Sequence, residues 1–362
     1  MTAGIALFIA SVCVAACGSG ETGQNQSPSK PLGTAVVSTP TKEAWTVAKG
    51  LPTLVQALAF APSNPTHGYA SVLVDKFDQN IFATKDRGNT WSQVGVLHDH
   101  PSDALSVDPL DPQDIISLSV YAPTPGAYTF QRSFDGGRTW TPQSTTLTVT
   151  GEISRTGWSD STFLIGFQLD RPLQGSSAVI AFPKQGVSAH LDVNGKINGG
   201  TIAHLTLLTG RHGTIQVWGD SATATETHVG AATSSQGNTW QTLSTTIAGH
   251  TFIPFAASAD GSILFATATD GAQLAFSSDA GATWTAQPTI TGSAAISDRS
   301  AFVIASDQAL VVAGSDGTYI SQHGAWQLAT TQPVIYAADD GSQHMARLWS
   351  IHTHGQIVWF DD

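Results

Sequence analysis

The sequence predicts an all-β, seven-bladed β-propeller, with six and eight blades as the bounds on the count. Three observations carry this. A phrase of the form Ser/Thr-x-Asp-x-Gly-x-Thr-Trp recurs along the chain, its copies stand one or two repeat lengths apart, and short apolar and β-branched runs bounded by Gly, Pro, Asn and Asp separate them.

The first copy is Thr84, Asp86, Gly88, Thr90 and Trp91. The second is Ser133, Asp135, Gly137, Thr139 and Trp140, and another is Ser277, Asp279, Gly281, Thr283 and Trp284. Between them stands Thr233, Ser235, Gly237, Thr239 and Trp240, with serine in place of the aspartate. The step from Trp140 to Trp240 is about twice the steps on either side, so one unit there has lost its phrase. A period of about 40–50 residues with strand-like content is the mark of a propeller. The phrase itself reads as a hairpin turn. A hydroxyl and a carboxylate bond nearby backbone N–H groups, glycine takes the positive φ, and Thr and Trp open the next strand. On this reading Asp86, Asp135 and Asp279 are structural rather than catalytic.

These residues resemble the Asp-box, or BNR repeat, of sialidases, sortilin-type propellers, Ycf48-type photosystem assembly factors and some glycosidases. The resemblance covers most of the chain after about residue 43. It implies an architecture shared by many activities, and a fold does not by itself supply a function.

The remaining organisation follows from composition. With 362 residues, 41% hydrophobic and 12% charged, the chain is long enough for a large core and too poor in charge to be disordered. A formal net charge of −12 without a Lys/Arg cluster argues against nucleic acid as a partner. Gly4 to Ala16 form an apolar run of signal-peptide length ending in Val14-Ala15-Ala16-Cys17-Gly18, which resembles a bacterial lipobox. That resemblance implies a signal segment over residues 1–17 ending at the lipobox cysteine, with removal of the residues before Cys17, lipidation of Cys17 as the new first residue and a membrane anchor on the extracytoplasmic side. No Lys or Arg precedes the run, a departure from the usual signal. Both cysteines, Cys13 and Cys17, fall here, so the body has no disulfide. Residues 18–42 read as a flexible Ser/Thr/Pro/Gly tether, and 43–362 as the propeller, a monomer.

Each unit is expected to give four antiparallel strands, with the repeated turn joining the third to the fourth. Unit one reads as Gln56 to Ala61, Tyr69 to Val74, Asn80 to Lys85 and Thr90 to Val94. Unit two reads as Ala104 to Val107, Ile115 to Tyr121, Ala127 to Ser133 and Thr139 to Thr141. The third unit fills Thr156 to Asn194, with Phe182 to Gly186 where its turn phrase has decayed. Units four and five close at Trp240 and Trp284, and a sixth at Trp326. The seventh supplies Val334 to Ala338, Ala346 to Ile351 and Gln356 to Phe360, then stops. Its fourth strand is expected from Glu43 to Ala48, so that the N-terminal strand closes the last blade and leaves no edge.

Candidate site residues concentrate on the face opposite the repeated turns. His98 with His100 and His352 with His354, helped by Asp75 or Asp99, could ligate a divalent metal such as zinc; twelve histidines in a low-charge chain also give such pairs as solvated loop residues. No other cofactor is called for. The sialidase resemblance implies an arginine triad, a Tyr–Glu nucleophile pair and an Asp acid. Tyr121, Glu152, Asp75, Arg155 and Arg171 are the residues available for those roles, but no Arg-x-Pro phrase occurs and Arg87 and Arg138 lie inside repeated turns. Trp158 and Trp218 either stack on sugars or pack in the core. The sequence thus points to an exported, lipid-anchored binding or assembly scaffold that docks a protein or glycan on its loop face, the alternative being a sialidase-like exo-acting glycoside hydrolase.

Overall fold

The structure, a computed structural model, describes residues 45–62, 64–75, 78–98, 102–119, 129–143, 151–169, 179–185, 189–191, 202–209, 214–221, 228–233, 239–243, 246–247, 250–258, 261–268, 273–288, 300–304, 308–314, 317–322, 325–332, 334–338, 347–351 and 357–361. The strands run in chain order. β1 is Thr46–Val47; β2 Val55–Ala61, β3 Asn64–Leu73, β4 Gln79–Thr84 and β5 Ser92–Leu97; β6 Ala104–Val107, β7 Ile115–Ser119, β8 Thr129–Ser133 and β9 Thr141–Gln143. Next come β10 Gly151–Ser159, β11 Thr162–Leu169, β12 Val179–Phe182 and β13 Ala189–Leu191; β14 Ile202–Thr209, β15 Ile215–Ser221, β16 His228–Thr233 and β17 Gln241–Leu243. The last are β18 Thr246–Ile247, β19 His250–Ala257, β20 Leu264–Ala268, β21 Leu274–Ser277 and β22 Thr285–Gln287; β23 Ser300–Ile304, β24 Ala309–Gly314, β25 Gly317–Gln322 and β26 Ala325–Thr330; and β27 Val334–Ala338, β28 Arg347–Ile351 and β29 Ile357–Asp361.

Among the described residues these strands pair into seven antiparallel sheets, β2–β5, β6–β9, β10–β13, β14–β17, β18–β22, β23–β26 and the sheet β27–β28–β29–β1. The first long strand of a sheet packs on its counterpart in the next, β2 on β6, β10 on β14, β14 on β19, β19 on β23, β23 on β27 and β27 on β2. This is a β-propeller arrangement, all-β, with the first strands lining the axis. The third sheet starts at Gly151 rather than Thr156, because β10 pairs with β11 as far back as Gly151 with Leu169, across a bulge between Ile153 and Arg155.

The N-terminal strand completes the last sheet, Thr46 pairing with Trp359 and Val47 with Val358. It then crosses to the first sheet. Ala48 N–H donates to the Ile357 oxygen at 3.0 Å, Lys49 N–H to the Asn89 oxygen at 3.0 Å, and Trp91 N–H to the Lys49 oxygen at 2.8 Å. Gly50 follows at φ 80°, where a Cβ would meet the Trp91 oxygen at 2.3 Å, so only glycine turns the chain here.

The repeated phrase forms one hydrogen-bonded turn three times over. Thr84 Oγ1 donates to Asp86 Oδ1 at 2.8 Å and accepts from Gly88 N–H at 3.0 Å. Asp86 in turn accepts from Thr90 N–H at 2.9 Å and from the Thr90 hydroxyl at 2.5 Å. The same bonds recur from Ser133 and Thr139 to Asp135, and from Ser277 and Thr283 to Asp279. Gly88, Gly137 and Gly281 stand at φ 82°, 83° and 88°. Each turn tryptophan then donates Nε1–H to that glycine's oxygen, Trp91 at 2.9 Å, Trp140 at 3.1 Å and Trp284 at 3.0 Å. Most of the fourth copy lies outside the described residues, but its Trp240 packs against the core of the third and fourth sheets, Leu164, Val179, Leu207 and Val217. Trp326, without that glycine, donates instead to the Pro288 oxygen at 2.9 Å.

Seams between sheets are tied by donors that reach from one sheet into the third-to-fourth-strand turn of the next. Gln216 Nε2 donates to the Ala280 oxygen at 2.8 Å. Arg347 Nη1 donates to the Arg87 oxygen at 2.8 Å. Arg132 Nη1 donates to the Phe182 and Pro183 oxygens at 3.2 and 3.0 Å, in the turn where the third sheet has lost its phrase.

Candidate functional site

Two faces follow from the strand order. The β3–β4 type loops and the sheet-to-sheet connections lie at one end of the axis, and the repeated turns, with the loops between first and second strands, at the other.

On the loop face the described residues hold a small polar group. Asp78 N–H donates to Asp75 Oδ1 at 3.0 Å, and His98 Nδ1 lies 3.1 Å from Asp78 Oδ1, both side chains open to water at 66% and 35% exposure. The His98 oxygen accepts from Gln131 Nε2 at 3.0 Å, which ties the strand exit to the second sheet. The remaining sequence candidates Cys17, His100, Tyr121, Arg171, His352 and His354 lie outside the described residues. Glu152 and Arg155 lie on β10, opposite Gln168 and Gly166, and their side chains are outside the described set. Among the described residues no group of three or more His, Cys, Asp or Glu is arranged to hold a metal ion.

On the turn face the second and third sheets share a charged network. Asp114, just before β7, takes a bidentate bond from Arg132, Nε to Oδ1 and Nη2 to Oδ2, both at 2.8 Å, with the pair 0% and 1% exposed. Arg132 Nη2 also donates to the Ser161 oxygen at 3.2 Å. Lys184 reaches back to Asp111 at 2.8 Å and to Asp114 at 3.5 Å. The Lys184 bond is the first cause holding the Asp111 carboxyl below its ordinary value, and the Asp111 bond in turn raises the lysine. Asp108 is different. Its Oδ1 accepts from Leu110 N–H at 2.7 Å and its Oδ2 is buried, and burial pushes its carboxyl up, outweighing the Leu110 N–H and the Ser161 hydroxyl, with Asp114 adding to the rise.

Above this network Phe134, second residue of its turn, is 46% exposed, and Leu110 is 50% exposed. The Arg132 guanidinium lies 4.9 Å from the Phe134 ring centroid and the Lys184 ammonium 5.7 Å, so two cations gathered at Asp114 lie over a ring that stays partly open to solvent.

A cavity of about 250 Å³ opens beside it. Its walls are the last residues of the first strands, Ala59 and Phe60 on β2, Leu105 to Val107 on β6, Thr156 to Trp158 on β10, Leu207 to Thr209 on β14 and Ala257 on β19, with Tyr336 of β27. It therefore lies on the axis at the turn end. Trp158 belongs to its wall and to the core around Phe163 and Phe182, with Nε1 donating to Ser106 Oγ at 2.8 Å. Trp218 is buried core, its ring pressed against Gly230, where a Cβ would come within 2.5 Å.

Sequence reasoning missed Arg132, Asp114, Asp108 and the cavity. The available signal was a charged residue at a strand position directly before the turn serine, Arg132 before Ser133, where the other complete copies carry Ala83 and Phe276.

No family model and no curated protein matches this chain. Among solved structures it is similar to YCF48 from Cyanidioschyzon merolae, at 15% identity and TM-score 0.54, covering 88% of this chain and 99% of that one. It is also similar to YCF48 bound to D1 peptide (12%, TM-score 0.49, 89% and 99% covered) and to the GH74 xyloglucanase from Xanthomonas campestris (13%, TM-score 0.44, 84% and 59% covered). The first likeness is one of fold, a β-propeller.

Proposed function

We propose that this chain is an exported, lipid-anchored binding scaffold of the cell envelope, a seven-bladed propeller in which each sheet is one blade and the repeated turns are Asp-boxes. One observation carries the binding role. Phe134 is an exposed aromatic ring that two cations hold in place over a buried ion pair. Interfaces draw their energy from such preorganised aromatic and arginine anchors, because little side-chain entropy is lost on contact. The partner that fits is a protein presenting an apolar side chain to Phe134 and Leu110, with Lys184 and Asp111 at the rim. The anchor rests on the Val14 to Gly18 sequence and Cys17.

Photo-crosslinking residues placed at 134 and, separately, at 98 in cells test this reading. A discrete adduct from 134 that Leu110→Asp removes is the expected result. An adduct from 98 alone moves the docking surface to the loop face, and release of sugar from a sialoside panel by the purified protein replaces the scaffold with an enzyme. Palmitate labelling that disappears in Cys17→Ala is expected for the anchor, and labelling that persists overturns it.

A further inference from the structure

We propose that the axial cavity at the turn face is a binding site for one neutral, hydroxyl-bearing ring, a monosaccharide in size and chemistry. The cavity is separate from the docking role of Phe134. At about 250 Å³ the space exceeds the roughly 150 Å³ that holds benzene and falls just short of the roughly 300 Å³ at which drug-sized pockets begin. It takes a single ring.

The lining then sets the charge. Among the described residues no Asp, Glu, Lys, Arg or His lines it. The Tyr336 hydroxyl accepts from Phe60 N–H at 3.2 Å, and burial raises its pKa. A carboxylate or ammonium entering this cavity would lose its hydration with no countercharge among the described lining residues to meet it. The walls are nevertheless not those of a dry apolar void. Ser106, Thr156, Thr209 and Ser258 bring hydroxyls from four successive sheets, and Phe60 and Trp158 supply aromatic surface. Ser106 Oγ accepts from Trp158 Nε1 at 2.8 Å, a bond that leaves its own O–H to donate. Alternating hydroxyls and aromatic carbon match a sugar ring, which carries hydroxyls on its rim and C–H groups on its faces.

One residue is fitted to this arrangement by size. A Cβ at Gly157 would stand 2.3 Å from Thr209 Oγ1 and 3.0 Å from its Cγ2. Gly157 has no left-handed φ to explain it, so the glycine clears room for the Thr209 side chain rather than relieving the backbone.

The test uses the full-length chain, titrated by calorimetry and saturation-transfer NMR with D-glucose, N-acetyl-D-glucosamine, D-glucuronate and D-glucosamine. The neutral sugars are expected to saturate below about 10 mM, with glucuronate and the glucosamine cation at least about tenfold weaker. Thr209→Val, which keeps shape and removes the hydroxyl, and Gly157→Ala are each expected to weaken the neutral sugars about tenfold. Thr209→Val with an unchanged circular dichroism spectrum keeps the result readable if Gly157→Ala does not fold. No saturation by any neutral sugar means a water-filled channel and overturns the proposal. Equal binding of the charged sugars, or neutral binding untouched by Thr209→Val, overturns it as well by placing the site elsewhere.

Discussion

Arg347 donates from Nη1 to the main-chain oxygen of Arg87 at 2.8 Å, joining residues 260 positions apart in the chain. The same guanidinium lies 3.7 Å from the Trp359 ring centroid and 3.3 Å from Asn89 Oδ1. The last sheet thus grips the turn of the first by a side chain as well as by the N-terminal strand.

Arg347→Met should cost about 1.5–3 kcal/mol, the range for a hydrogen bond from a charged donor. Arg347→Lys should recover little of this, because an ammonium cannot both stack on Trp359 and fork toward two oxygens. Gln216→Leu removes the corresponding bond to the Ala280 oxygen and also the acceptor of the buried Trp218 Nε1–H, and should cost about 1–3 kcal/mol. Urea unfolding of the three variants checks these costs.

Breaking the buried pair between the second and third sheets should be more severe. Arg132→Met leaves Asp114 buried and without its bidentate partner, an expected loss of about 3–5 kcal/mol. Arg132→Met combined with Asp114→Asn removes the stranded charge and should be less destabilised than Arg132→Met alone. A double-mutant cycle on unfolding free energy reads this, and a double variant no better than the single would show that the cost lies in the carbonyls of Phe182, Pro183 and Ser161 instead.

Ala280 occupies φ 57° at the turn position filled by Gly136 in the second sheet. Its Cβ carries the left-handed penalty, while its N–H donates to Ser262 and its oxygen accepts from Gln216 through main-chain atoms that any residue keeps. Ala280→Gly should therefore stabilise by roughly 0.5–1 kcal/mol, seen as a higher Tm.

Acid should loosen the repeated turns. In Asp86 and Asp135 partial burial opposes the charge, but the bonds from Thr90 and Thr139 and from the turn hydroxyls outweigh it, and in Asp279 the Thr283 hydroxyl bond leads; all three carboxyls sit below their ordinary value. A depressed folded pKa stabilises above the unfolded value, about 3.9, and that stability is lost as pH falls through the folded one. Tm should drop as pH falls from about 5 to about 3, roughly one unit either side of that value, and less so in Asp86→Asn.

Asp108 has the opposite sign. Its pKa is raised by burial and by Asp114, so its contribution is fully present below the unfolded value and lost as pH rises through the folded one. Asp108→Asn, which keeps an oxygen for Leu110 N–H, should raise Tm at neutral pH, with the gap to wild type closing in acid.

The propeller was legible because its turns carry their own chemistry. A serine or threonine, an aspartate and a glycine at fixed offsets form a closed set of local bonds, so the four turn positions and the double interval could be read without knowing what packs on what. Val334–Ala338 was legible for a related reason, a short apolar run between turn signals. The cavity was not. Thr209 and Gly157 meet only because β14 packs on β10, and no local pattern in either strand announces a contact set by the neighbouring sheet. Arg132 was overlooked for the same cause, since its partners Asp114, Ser161 and Phe182 lie at three other strand ends, two of them in the neighbouring sheet. On the loop face the sequence marked Asp75 and His98, and the structure joins them through Asp78, a residue whose role depends on how its loop closes.

The N-terminal strap has a mechanical consequence. Beyond the two residue pairs of β1, it is held by three main-chain bonds around Ala48, Lys49 and Trp91, by Trp45 packed on the core of the sixth and seventh sheets and by Ala48 buried in that of the first and seventh. A pull on the chain at Trp45 must lift that ring from its core and then peel Thr46 from Trp359 before any longer ladder bears force. The ring would therefore yield at one place under tension, parting the last sheet from its fourth strand while the interleaved first strands around the axis remain unstrained.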